Sequence, residues 1–126
     1  MNCPTQGTSN ALYGAGCWLL EQRRHEDAMH VFRTMLVVAP ADERAWLGLG
    51  ECHEELGELD RADALYALAT SACGSALRCV VARARLLRAT AREDEAQELY
   101  ASAAVLAVAS RDDEVLAIVD AEGRLS

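Results

Sequence analysis

With 126 residues, twelve arginines, no lysine and twenty acids, the chain carries a formal charge of −8. That balance excludes binding to a nucleic-acid backbone, which needs a basic surface, and 52% hydrophobic against 25% charged residues excludes a disordered chain. Twenty-four alanines, two prolines and 5% aromatic residues favour helices over sheets.

The opening MNCPTQGTSN has no positive residue before Arg23, so it lacks the first requirement of a secretory signal. Gly14-Ala15-Gly16-Cys17 follows no charged or apolar segment and is rejected as a lipidation site. The longest apolar candidate, Leu99 to Ser110, is too short to cross a bilayer. Five cysteines without a C-x-x-C pair fit buried thiols in a reducing cytoplasm better than a disulfide framework or zinc. The expectation is a cytoplasmic chain with no cofactor, no metal and no membrane insertion.

A period of 34 organises the rest. Ala28, Ala62 and Ala96 recur at that spacing, as do Phe32, Tyr66 and Tyr100, and Leu12, Trp46 and Val80. Gly16, Gly50 and Ala84 continue it, and Pro40 recurs as Gly74. In chain order the pattern predicts helices over about 9–22, 25–38, 43–56, 59–72, 77–90 and 93–108. Polar turns at Arg23-Arg24, Gly57-Glu58 and Ala91-Arg92 divide each pair. A last helix over about 112–122, carrying Val115, Leu116, Ile118 and Val119, would cap the open end. Small residues at Gly16, Gly50 and Ala84 let paired helices approach closely, and the aromatic ladder fills the space toward the next copy.

The pattern resembles the tetratricopeptide repeat, best in the copy with Trp46, Leu49-Gly50, Ala62, Tyr66 and Ala69. The resemblance implies an all-α fold: one domain over 1–126, with repeats at about 9–42, 43–76 and 77–110 in a right-handed superhelical stack. Two residues depart from the template. His53 replaces an aromatic, and Arg83 stands where Leu is usual, so its guanidinium must snorkel or meet an acid. That makes the third copy the expected loosest part.

The first helix of each pair would line the concave wall. A third-of-a-turn offset from the packing positions places Arg44, Leu47, Glu51, Glu54 and Glu55 inside. Asn10, Tyr13, Cys17, Leu20 and Glu21 stand 34 before them, and Arg78, Val81, Arg85, Arg88 and Ala89 stand 34 after. An apolar floor, an acidic middle and a basic far end suit an extended peptide. Charge is segregated to match: Asp42 to Asp63 holds eight acids and two arginines, while Arg78 to Arg92 holds five arginines and no acid.

Catalysis is not expected. His25 and His30 flank acids as in zinc-protease helices, but five residues is about 500° of helix, so the two rings diverge. Gly48-Leu49-Gly50 reads as helix packing rather than a phosphate loop. The Lys/Asn/Arg clamp by which some such repeats hold acidic C-termini is missing, since Tyr13, Cys17, Leu47 and Val81 occupy its places.

The block R-H-E-D-A-x-x-V-F, followed by W-L-G-L-G-E-C-H-E-E-L-G-E-L-D-R-A over Trp46 to Ala62, narrows the likeness. It resembles the class II chaperones of bacterial type III secretion systems through Trp46, Gly48, Leu49, Gly50 and Cys52. The resemblance implies a chaperone that uses no ATP and holds an extended segment of a hydrophobic translocator in its groove. Carried over, the contacts fall at Tyr13, Cys17, Leu20 and His25, then Leu47 and Glu51, then Val81 and Arg85. The family's longer N-terminal arm serves dimer formation, whereas some ten residues precede the first repeat here, so a homodimer is the open question about its partners. The alternative is a generic tetratricopeptide scaffold with another peptide or protein client.

Overall fold

The computed structural model describes residues 4–123, which form seven α-helices and no strand. They are α1 (Pro4–Glu21), α2 (His25–Val38), α3 (Glu43–Glu55), α4 (Leu59–Cys73), α5 (Leu77–Ala89), α6 (Glu93–Ser110) and α7 (Asp113–Gly123). Each helix packs on its neighbour in sequence, and α1, α3, α5 and α7 also touch in series. That second set of contacts makes a continuous superhelical stack rather than separate hairpins.

The 34-residue period is realised as rows of buried side chains. Ala28, Ala62 and Ala96 are fully buried, Phe32 and Tyr66 likewise, with Tyr100 at 2% exposure. Met35, Ala69 and Ala103 form a third such row. Glycines make the close approach possible where the aromatics arrive. A β-carbon on Gly16 would lie 2.6 Å from the Phe32 ring, and one on Gly50 would collide with the Tyr66 ring. Gly48-Leu49-Gly50 is therefore interior helix, as expected.

The turns repeat as well. Arg23, Gly57 and Ala91, spaced by 34, all take positive φ, at 59°, 78° and 62°. After each, an amide reaches back five residues: Arg24 N donates to Leu19 O at 2.9 Å, Glu58 N to His53 O at 2.8 Å, and Arg92 N to Leu87 O at 2.8 Å. This closure ties off the carbonyls a helix end leaves free. Helix starts carry acids, as at Glu26 and Asp27 or Glu93, Asp94 and Glu95. Asp42 caps α3 by accepting from Arg44 N at 3.1 Å, and Asp112 accepts from Val115 N at 3.1 Å.

Two local expectations change. Helix α1 begins at Pro4, ahead of the expected start near residue 9. Proline suits a first helical turn, and Ser9, 2% exposed, donates to Asp42 Oδ2 at 2.7 Å, so α3's cap holds the early turns. The third copy is also not loose. The largest hydrophobic cluster runs from Leu77, Val80 and Val81 through Tyr100 to Val115 and Val119, because α7 seals it. Arg83 meets an acid there, its Nε 2.7 Å from Asp63 Oδ1. His53 is buried, with Nδ1 3.1 Å from Glu58 Oε1.

Candidate functional site

Helices α1, α3, α5 and α7 present their free faces to one concave side. Its two halves differ sharply. Between α1 and α3 lies an open recess of about 450 Å³, bounded by Cys17, Leu20 and Glu21 on one wall and Glu51, Glu54 and Glu55 on the other. Between α3, α5 and α7 a smaller recess of about 140 Å³ is bordered by Leu47, Glu51, Val81, Arg85 and Ile118.

Most of the expected floor stands where the period placed it. Tyr13, Cys17, Leu20 and Leu47 are half-buried, so each is in contact with its own core yet open on one side. Arg44 lies over the Tyr13 ring at 5.0 Å and chelates Asp42, Nε to Oδ1 at 3.0 Å and Nη2 to Oδ2 at 2.7 Å. Its Nη2 also donates to Asn10 Oδ1 at 2.8 Å. The Arg44 hydrogen bond holds the Asp42 carboxyl down at about 2. Burial pushes the Tyr13 phenol up to about 12.

Val81 belongs to the core rather than to an exposed floor, at 3% exposure in the cluster with Val115 and Val119. The physical reason is α7, which continues the series α1, α3, α5 and covers the α5 surface that would otherwise be free. The basic far end is likewise neutralised. Arg78 Nη1 is 3.2 Å from Asp112 Oδ2 and 3.5 Å from Glu43 Oε1, and its Nη2 is 3.4 Å from Glu114 Oε2. Arg85 grips Glu122 with Nε at 2.6 Å and Nη2 at 2.9 Å. Arg88 bonds Glu93 Oε1 at 2.9 Å and the Glu122 carbonyl at 2.6 Å, over the Tyr100 ring. Sequence reasoning missed Asp112, which caps α7, and Glu114 and Glu122 within it as groove elements. The signal was present, since Asp112 stands 34 after Arg78 and Glu122 34 after Arg88.

Glu51 and Glu54, farther along α3 than Glu43, have no arginine partner of this kind among the described residues. Burial pushes the Glu51 carboxyl above its ordinary range, helped by the charges of Glu54 and Glu55. Glu54 accepts a short hydrogen bond from the Tyr66 hydroxyl, whose proton burial also holds tightly. His25, at the start of α2, sits beside the α3 end with Nε2 3.3 Å from Glu55 Oε2. That nitrogen is sealed from solvent and makes no hydrogen bond. The structure thus brings Cys17, Leu20, Glu51 and Glu54 around one opening, and Glu51 also borders the smaller recess with Leu47, Arg78, Val81 and Arg85. Among the described residues, no three His, Cys, Asp or Glu side chains are grouped to hold a metal, and no helix is long and apolar enough to cross a membrane.

Comparison with known proteins places this geometry. Residues 19–72 match the tetratricopeptide-repeat family model. The translocator chaperone SycD of Yersinia enterocolitica superposes with a TM-score of 0.74 at 24% identity, over 91% of this chain and 90% of that one. PcrH of Pseudomonas aeruginosa, solved with the chaperone binding region of PopB, gives 0.75 at 25% identity over 92% and 94%. SycD with a peptide of the translocator YopD gives 0.67 at 23% identity over 92% and 95%. A search of curated sequences finds no match.

Proposed function

We propose that this chain, a tetratricopeptide-repeat protein with the fold of the class II type III secretion translocator chaperones, holds an extended segment of a hydrophobic translocator in its concave groove. One observation carries the reading: the recess between α1 and α3 combines half-buried Cys17 and Leu20 with an acidic rim, and none of the described residues fills it. Its fold neighbours support the same use, since PcrH and SycD are solved with translocator segments. An apolar side chain resting on Leu20 leaves water, while the excess negative charge opposes self-association of the loaded complex. The client is held and released without chemistry, in the cytoplasm, before export.

Tyr13, Cys17, Leu20, Leu47, Glu51 and Glu54 are the residues we assign to the client. Val81 offers the groove little surface, and Arg78, Arg85 and Arg88 are engaged by acids of the chain itself. Co-expression with a translocator encoded beside this chain tests the assignment. Wild type yields a complex that survives purification, and Leu20→Glu, checked for unchanged helicity, loses it. A complex indifferent to Leu20→Glu places the client elsewhere and refutes the groove. Pairing with a second copy of the chain is a separate property, read by light scattering across concentration.

A further inference from the structure

We propose that the open half of the groove selects client segments in which a cationic side chain follows an apolar one, with Glu51 and Glu55 taking the cation and Leu20 and Cys17 the apolar group. The inference rests on the groove-binding function above and adds the charge of the occupant.

A census of charge around the groove carries it. Each of its arginines is already engaged: Arg44 by Asp42, Arg78 by Glu43, Asp112 and Glu114, Arg85 by Glu122, and Arg88 by Glu93. Among the described residues, no cation pairs with Glu21, Glu51 or Glu54, and Glu55 has only His25 at 3.3 Å. Carboxylates without an arginine partner therefore gather on the walls of the recess between α1 and α3. Arg85 borders the smaller recess with Glu51 and offsets part of its upward shift, but its guanidinium hydrogen bonds go to Glu122.

The local helix makes this costly for the free protein. Glu51, Glu54 and Glu55 stand at i, i+3 and i+4, where like charges repel. They also occupy the last turns of α3, where the helix dipole disfavours negative charge. At the starts of α2 and α6, by contrast, Asp27, Glu93 and Glu95 lie in the first turn and pair with Arg24, Arg88 and Arg92. A guanidinium or ammonium entering the recess removes both penalties at once and is held by charge-assisted hydrogen bonds. Lining with Leu20 and Cys17 restricts the recess to cations that arrive beside an apolar group, so a free cation is a poor occupant.

Labelled synthetic peptides that share a leucine-rich apolar core and differ at one flanking residue test this by fluorescence anisotropy. The flanking residue is arginine, its neutral isostere citrulline, or glutamate. The arginine peptide is expected to bind about tenfold tighter than the citrulline one at low salt. The preference shrinks as salt rises, and it disappears in a Glu51→Gln/Glu55→Gln variant whose free Tm is no lower than wild type. Equal behaviour of the arginine and citrulline peptides, including no binding of either, overturns the inference, as does a preference that persists in the double variant. If the peptides behave equally while Leu20→Glu still abolishes the translocator complex, the groove reading stands and only the charge selection falls.

Discussion

The ring of Phe32 occupies the space that a β-carbon on Gly48 would need, and the same ring lies 2.6 Å from the corresponding point on Gly16. Phe32 is fully buried and reaches from α2 to touch the helices on both sides of it. Gly48→Ala must therefore move either the ring or α3. Overpacking of this kind costs about 1–3 kcal/mol, read as a fall in the urea midpoint. Phe32→Ala relieves the clash but opens a cavity, at about 3–5 kcal/mol. Combined with Phe32→Leu, Gly48→Ala is expected to cost less than it does alone, because the two sites share one contact.

Backbone strain gives a prediction of opposite sign. Ala91 takes a φ of 62° at an exposed turn where the second copy has Gly57 at 78°. A side chain in this left-handed region costs about 1–2 kcal/mol, part of which glycine returns through its freer unfolded chain. Ala91→Gly is expected to raise stability by about 0.5–1 kcal/mol in chemical denaturation. Ala91→Val should lower it. If the two variants behave alike, the turn is not the source of the effect.

Much of this fold was legible because the same constraint is written three times. Ala28, Ala62 and Ala96 could be read as a contact row since only a small residue survives where two helices press together, and all three are fully buried. Arg83 was legible as a conflict, a guanidinium in an apolar place, and Asp63 resolves it. Val81 borders the smaller recess, as its period implies, but at 3% exposure it is mostly core. A period fixes which face a residue takes, but not how much of that face the expected capping helix covers. The start of α1 was missed because TQGTSN has no apolar rhythm, and a contact 33 residues away, Ser9 to Asp42, holds it. In the groove, the residue types were readable one helix at a time. Which charges stay unpaired was not, because partners such as Glu122 for Arg85 lie two helices further on.

Asp42 couples that geometry to pH. Its carboxyl is held at about 2 against an ordinary 3.8, chiefly by the Arg44 hydrogen bond. A depressed acid stabilises the fold above the unfolded value and loses that contribution as pH falls through the folded one. The shift corresponds to about 2 kcal/mol at neutral pH. Asp42→Asn should lower stability by about that amount at pH 7, with the difference from wild type shrinking below pH 3.8 and nearly gone at about 2. Glu51 runs the other way. Its raised carboxyl adds stability below the unfolded value, and the contribution is lost as pH rises through the folded one. Glu51→Gln should therefore flatten the wild-type profile on the neutral side of the glutamate range and leave the Asp42 limb unchanged.

The division of the groove into an open and a sealed half can be tested by separating stability from binding. Val81 is 3% exposed and packs in the cluster that contains Val115 and Val119. Val81→Ala removes two buried methyl groups, at a cost of about 2 kcal/mol. Because Val81 offers the smaller recess only 3% of its surface, affinity for the translocator should stay within experimental error at temperatures where the variant is folded. Leu20→Ala should do the reverse. Leu20 is half-buried on the open side, so its truncation costs less stability but weakens the complex severalfold or more. Measuring both variants by denaturation and by translocator binding gives a crossed pattern if α7 belongs to the wall of the site. If Val81→Ala weakens the complex as much as Leu20→Ala does, the client displaces α7 and runs the full length of the groove.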